Sequence, residues 1–286
     1  MPRKMDVLLL PSLALTVWLS FGAATLQAQT YKRFDVPNAT ETDCNDMNAA
    51  GVIVGSYIDS TGVEHGFTLA AGKVTTIDFP GSTGTFGYGI NDSGELVGWY
   101  SDTSGITHGY LDDAGTFTTL DPPGSTYTNA WSINNAGEIV GTYTDSSGVF
   151  HGFDLLNDAY ATYDAPNSIL TEFTGLNNKG HKVGIFYDSS AVEHGFELVN
   201  EHFTQIDYPG SGITAADRID DHEAVVGLYG ATSAGPFSGY ILELKSFQTV
   251  MFPGSTETRA RGVTPVRVVG RYTDSSNLIH GFVAKK

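Results

Sequence analysis

From about residue 30 onward the chain alternates between two textures. Short runs rich in Val, Ile, Thr, Tyr and Phe are separated by clusters of Gly with Asn or Asp. That is the grammar of β-strands joined by tight hairpins. One stretch shows it in full. Phe86 to Asn91 reads as a first strand, A, and Asn91-Asp-Ser-Gly94 turns the chain. Glu95 to Ser101 is strand B, Ile106 to Leu111 strand C and Thr116 to Asp121 strand D, with turns at Asp102-Thr-Ser-Gly105 and Asp112-Asp-Ala-Gly115. At such turns an Asn or Asp side chain bonds backbone two residues on, and the closing glycine supplies a positive φ. No segment of this region sustains a helical periodicity, so the sequence predicts an all-β protein.

The four-strand unit repeats six times. His-Gly-Phe or a close relative stands at His65-Gly66-Phe67, His108-Gly109-Tyr110, His151-Gly152-Phe153, His194-Gly195-Phe196, Ser238-Gly239-Tyr240 and His280-Gly281-Phe282. Parallel series are Asn48, Asn91, Asn134, Asn177, Asp220 and Thr264, and Gly55, Gly98, Gly141, Gly184, Gly227 and Gly270, the latter always 43 residues apart. A proline recurs at Pro37, Pro80, Pro123, Pro166, Pro209 and Pro253. Four strands in about 43 residues match the blade of a β-propeller. A β-solenoid also stacks repeats, but its coils are shorter and rarely hold three tight hairpins. The two ends of the array favour the ring. The chain enters on a strand D at about residues 30–37 and finishes on a strand C at Leu278 to Val283. The expected fold is therefore a six-bladed β-propeller with four antiparallel strands per blade, spanning residues 29–286. The N-terminal strand joins the C-terminal blade and removes the largest open edge.

Residues 1–28 read differently. Arg3 and Lys4 precede an apolar run from Val7 to Ala24, then small residues up to Ala28, the layout of a secretory signal peptide. Cleavage is expected after Ala28, with Ala24 as the alternative site. An uncleaved anchor is the competing reading, because the apolar stretch approaches spanning length. The expected location is secreted, extracellular or periplasmic. The net charge of the chain is −17, and without residues 1–28 it is −18, from 13 basic and 31 acidic residues. Such a surface repels nucleic acid and anionic lipid. Expected partners exclude nucleic acid and, after cleavage, membrane; a monomer is expected. Cys44 is alone, so no intramolecular disulfide can form.

The repeat resembles the bacterial extracellular family named HAF for its His-Ala-Phe tripeptide. The resemblance is carried by Gly89-Ile-Asn-Asp-Ser-Gly-Glu-Leu-Val-Gly98 with Gly105-Ile-Thr-His-Gly-Tyr110, and by Ser132-Ile-Asn-Asn-Ala-Gly-Glu-Ile-Val-Gly141 with Gly148-Val-Phe-His-Gly-Phe153. It extends over all six units, with glycine replacing the family's alanine. The fifth unit drifts furthest, at Asp220, Glu223 and Ser238. The resemblance implies an exported repeat protein and brings no catalytic residues with it.

Candidate chemistry must be sought against that background. The five repeated histidines lie on strand C, third from the axis, well over 10 Å apart for a strand spacing of about 4.8 Å. A zinc ion needs its ligands within about 2.1 Å. Each imidazole is expected to bond its own B–C turn, and no metal site is expected. Asp59, Asp102, Asp145, Asp188 and Asp274 supply one carboxylate per turn, short of the six to eight oxygens calcium takes, so calcium is at most a minor possibility and no other cofactor is implied. A site on a propeller needs unlike groups converging from several blades. The residues that differ between equivalent positions are therefore the informative ones. Counting from the constant threonine of strand A, the second position reads Asp43, Phe86, Asn129, Glu172, Ala215, Arg259, and the fourth Asn45, Tyr88, Trp131, Thr174, Asp217, Arg261. Asp43, Phe86, Tyr88, Trp131, Glu172, Asp217, Arg259 and Arg261 form the candidate ligand site, at the mouth shared with the D–A and B–C loops. Aromatic faces suit sugar rings and the charged groups suit hydroxyls. The expected function is a non-enzymatic binding or interaction scaffold for polysaccharide or a cell-surface protein. The alternative is a carbohydrate-active hydrolase or lyase with Glu172, Asp217 or Asp43 as acid/base and Arg259 or Arg261 as electrophilic stabiliser. No catalytic residue is assigned on the first reading.

Overall fold

The computed structural model describes residues 30–286, so the proposed signal peptide lies outside the described residues. The described residues form six four-stranded antiparallel sheets. Each runs A-B-C-D in sequence except the last, whose order is Glu257–Thr264, Arg267–Thr273, Ile279–Lys285 and then Tyr31–Phe34. Each strand A touches the strand A of the next blade, and that of blade 6 returns to blade 1. The molecule is a six-bladed β-propeller.

The ring closes where the sequence predicts. Tyr31 pairs with Ala284 and Phe34 with Gly281. The Tyr31 ring wedges between Phe252 and Phe282, at 5.5 and 5.8 Å between centroids. Its hydroxyl accepts the Met251 amide at 3.1 Å, tying the first strand to the loop entering blade 6. Asp35 completes the seam, meeting His280 Nδ1 at 2.8 Å.

Two of the repeated residues have a common cause. Every strand A carries a β-bulge, with the register skipping one residue at Asn45, Tyr88, Trp131, Thr174, Asp217 and Arg261. A bulge adds an unpaired residue and re-aims its side chain. It also presses strand A onto strand B. A Cβ built on Gly98 would sit 1.8 Å from the Phe86 carbonyl oxygen, and one on Gly184 2.0 Å from that of Glu172. The constant glycine of strand B is the residue that permits this contact. The aromatic ring of His-Gly-Phe lies across the same glycine: Phe67, Tyr110, Phe153, Phe196, Tyr240 and Phe282 are all fully buried.

Other constants join blades or pin loops. The Asn48, Asn91, Asn134 and Asn177 amides each donate to the next blade's equivalent carbonyl, at 3.0–3.3 Å. The strand A threonine hydroxyl accepts a D–A loop amide, as from Phe79 to Thr85 at 3.0 Å. The histidines differ from expectation. Their shorter bond goes to the aspartate ending strand D, His65 Nδ1 to Asp78 at 2.7 Å, while the B–C turn carboxylate of Asp59 lies 3.5 Å from Nε2. Strand D lies beside strand C, so its final aspartate returns to the imidazole. The turn aspartate is used by its own loop: the Thr61 hydroxyl and Val63 amide hold Asp59 at about 2, well below the ordinary carboxylate value.

Candidate functional site

The bulges decide what faces the axis. Four of the skipped residues meet across blades, Tyr88 with Trp131 and Asp217 with Arg261, while Asn45 and Thr174 donate to the Gly87 and Ala216 carbonyls of the next blade. Of the eight predicted residues, Asp43 and Phe86 line one small cavity, and the others meet in pairs or feel one another's charge. Phe86 stacks on Trp99 at 3.6 Å, and Tyr88 meets the edge of Trp131 at 4.4 Å. Trp131 Nε1 donates to Thr142 Oγ1 at 3.1 Å, which fixes the indole plane. On the opposite side the charges pair. Arg271 Nη1 donates to Asp43 Oδ2 at 3.1 Å, Arg261 Nη1 lies 3.6 Å from Asp217 Oδ1, and Arg259 Nε donates to Glu257 Oε1 at 2.7 Å. The Arg259 guanidinium also sits over the Phe237 ring at 4.6 Å, an attraction of cation for ring quadrupole.

Burial governs the titration here. It pushes Glu172 up to about 7, with the like charges of Glu193 and Asp217 adding to the effect. Burial also raises Asp217, against the opposing pull of Arg261, Arg218 and Arg259. Burial disfavours the Arg261 charge, yet Asp217 and Asp43 hold its pKa above the usual arginine value.

Several polar atoms at this mouth are buried without a hydrogen-bond partner: Asp43 Oδ1, Asn45 Oδ1, Asn129 Oδ1, Asp217 Oδ2 and Arg261 Nε. Buried polar atoms in folded proteins are normally satisfied by protein or ordered water, so each of these calls for a water or a ligand group as partner. A cavity of about 70 Å³ opens beside Asp43, Phe86 and Arg271.

Three further contributors, Trp99, Glu193 and Arg271, lie outside the sequence-derived set. Trp99 and Arg271 sit one residue after the strand B glycine, where the equivalents are Ser56, Thr142, Ile185 and Leu228. Comparing that position across units would have found them. Each pairs directly with a second-position residue, Phe86 with Trp99 and Arg259 with Arg271.

Arg218 was also missed, and it divides the axis in two. Its side chain crosses the centre of the ring and donates to the carbonyls of Thr174, Asp217 (3.0 Å), Tyr88 (2.9 Å) and Trp131 (2.7 Å). Its Nε lies 3.4 Å from Asp46 Oδ2. One guanidinium thus touches five blades. Beyond it, at the A–B turn end, lies a cavity of about 220 Å³.

A six-bladed propeller with a polar, aromatic-rimmed axis is therefore the class of protein that fold and site define. No protein-family model matches the chain, and no curated protein matches it in sequence. Solved structures do match in shape. The chain is similar to AofleA from Arthrobotrys oligospora, at 9% identity and TM-score 0.57, over 89% of this chain and 86% of that one. It is similar to the Aleuria aurantia lectin in complex with α-methyl-L-fucoside, at 8% identity and TM-score 0.53, over 88% and 93%. It is also similar to a Trypanosoma rangeli sialidase, at 6% identity and TM-score 0.55, over 90% of this chain and 59% of that one. At these identities the likeness establishes the fold alone.

Proposed function

We propose that the protein is a non-enzymatic carbohydrate-binding propeller that takes a neutral saccharide at the D–A/B–C mouth. The observation that carries this reading is the set of polar atoms without a hydrogen-bond partner beside the half-buried rings of Phe86, Tyr88 and Trp131. A sugar hydroxyl both donates and accepts, so it can satisfy Asp43 Oδ1 or Asp217 Oδ2 and Arg261 Nε alike. A neutral ligand fits better than an anion, because each arginine already faces a carboxylate. The similarity to a lectin supports the class without identifying the sugar. Export by residues 1–28 and kinship with the HAF repeats belong to the same proposal and rest on the sequence pattern.

A glycan-array screen of the mature protein, repeated with Trp131→Ala, tests the reading. Retention of a neutral glycan that the substitution abolishes is the expected result. No retained glycan, or retention indifferent to Trp131, removes the mouth from consideration.

A hydrolase is the second reading, favoured by one observation. Glu172, pushed to about 7 and coupled to the nearby Asp217, has the protonation a general acid needs at neutral pH. Release of reducing ends from a bound glycan, lost in Glu172→Gln with binding retained, would select it.

A further inference from the structure

A further cavity lies away from the axis, where the ring closes. It is a groove of about 790 Å³ between blades 6 and 1, at the end that carries the A–B and C–D turns. Phe34, Ile53, Leu69 and Val283 form its floor, and the same four side chains belong to the core joining these two blades. Lys32, Arg267 and Lys285 line the groove as well, all three exposed, and no lining residue is acidic.

Strand register places the three cations together. Arg267 pairs directly with Lys285, and Lys32 pairs with Val283, two residues from Lys285. Alternation sends all three to the face that packs on blade 1. Phe34, Val269 and Val283, two residues from Lys32, Arg267 and Lys285 in turn, pack into the core there. Opposed Cβ atoms in such a ladder are about 4.5–5.5 Å apart and diagonal ones about 7–8 Å, and like charges so placed are destabilising. Cations on the other face have found acids: Arg33 pairs with Asp35, and Lys286 lies 3.2 Å from Glu243. Among the described residues Lys32, Arg267 and Lys285 have no ion pair and no side-chain hydrogen bond. The other five blades carry no lysine or arginine at these positions; blade 1 has Thr75, Val52 and Ala70. Residues 1–29 bring no more than one acid, Asp6. In a chain of net charge −17, three unanswered cations beside an apolar floor point to an outside anion with a hydrocarbon tail.

We propose that the seam groove binds the free anion of a medium-chain fatty acid. The carboxylate sits among Lys32, Arg267 and Lys285, and the alkyl chain lies along Phe34, Leu69 and Val283. The anion relieves the repulsion among the three cations, and its chain shields apolar surface from water. This site does not depend on the saccharide reading.

Calorimetric titration of the mature protein with sodium octanoate at low ionic strength tests the assignment. Saturable one-to-one binding is expected, weakened by salt as exposed ion pairs are. Each buried methylene is worth up to about fourfold in affinity, so butanoate binds far more weakly. Octan-1-ol lacks the charge and octylammonium reverses it, and both bind more weakly than octanoate. The triple substitution Lys32→Thr, Arg267→Val and Lys285→Ala weakens octanoate about tenfold, the sum of three modest ion pairs. It keeps the fold, because blade 1 carries those residues at the same positions. Trp131→Ala, at the axial mouth, leaves this binding intact. The proposal is overturned by absent saturation, by any control ligand binding as tightly as octanoate, by an indifferent triple variant, or by loss of binding in Trp131→Ala. Capture by phosphatidylglycerol vesicles without binding of free octanoate would overturn it equally.

Discussion

Replacing Arg218 with methionine is the most direct test of how the axis is held together. The substitution keeps an unbranched stem of similar reach and removes every donor. Four backbone carbonyls from blades 2, 3, 4 and 5 lose a charged hydrogen bond, and the Asp46 carboxylate loses its counter-charge. Removing one partner of a buried pair costs about 3–5 kcal/mol, because the other charge stays buried. For a domain of this size that is a fall in Tm of about 6–20 °C, at about 2–4 °C per kcal/mol. The pH dependence has a definite sign. Burial holds Asp46 above its ordinary pKa even with Arg218 lowering it, so without the arginine it rises further. A carboxyl with a raised folded pKa stabilises the fold when protonated and loses that contribution as pH climbs through the folded value. Arg218→Met should therefore be least destabilised in the acid range and most at alkaline pH. Urea denaturation followed by tryptophan fluorescence at several pH values reads the difference. Adding Asp46→Asn removes the orphaned charge and should restore part of the loss, giving a non-additive cycle. A cost below about 1 kcal/mol, or strict additivity with Asp46→Asn, would refute the idea that one guanidinium ties five blades.

Gly184→Ala should cost at least about 3 kcal/mol or prevent folding, because its Cβ would lie 2.0 Å from the Glu172 carbonyl oxygen. Gly105→Ala, in open space at φ +81°, should cost only about 1 kcal/mol in the same urea assay; similar losses would disprove the close-approach argument. Glu172→Gln should flatten the pH dependence of stability between about 4.5 and about 7: the raised folded pKa makes the native carboxyl bind its proton more tightly, so stability falls through that window by on the order of 2–3 kcal/mol. An unchanged slope would place the titration elsewhere. Deleting residues 30–36 exposes the hydrogen-bonding edge of Ile279–Lys285 and should produce higher oligomers in light scattering; a monodisperse monomer of unchanged Tm would count against closure by the first strand.

The ring and its seam were legible because they are repeated, and repetition turns a weak local signal into a strong one. The offset between an entering strand D and a final strand C had only one economical solution. The candidate mouth was legible for a related reason: Asp43 to Arg259 and Asn45 to Arg261 depart from a constant frame at fixed offsets. Arg218 was hidden by strand periodicity. In a regular strand, the fifth position points with the third, into the interblade core where Cys44, Ala130 and Phe173 lie. The bulge at the fourth position breaks that alternation and turns the fifth toward the axis. Sequence marks the departure, since Asp46, Ser132 and Arg218 stand where the other three blades have Gly89, Gly175 and Gly262, but only the bulge says where they point. The histidines were half legible. Strand order put Asp78 beside His65, whereas proximity in sequence favoured the turn at Asp59. The cavity at the A–B end could not be read at all, because its volume depends on six side chains meeting across the axis.

Why chemistry gathers where the repeat fails follows from symmetry. Six identical blades would place six identical charges around one axis, and like charges in a poorly solvated space repel strongly. A repeated axial residue must therefore be neutral and self-complementary, as the asparagine ring is, each amide donating to the next blade's carbonyl. Function needs opposite charges instead, which requires blades to differ. Blade 5 differs most. It contributes Asp217 to one mouth, Asp220 and Asp221 to the other, and Arg218 between them, and it places Ser238 where the other blades have histidine. Its Asp220 cannot donate as Asn177 does, so the amide ring is broken there and Lys286 reaches to within 3.8 Å of the carboxylate. The blade that departs most from the repeat thus supplies groups to both ends of the axis, and the five uniform histidine–aspartate bonds of the other blades hold the frame in which it can differ.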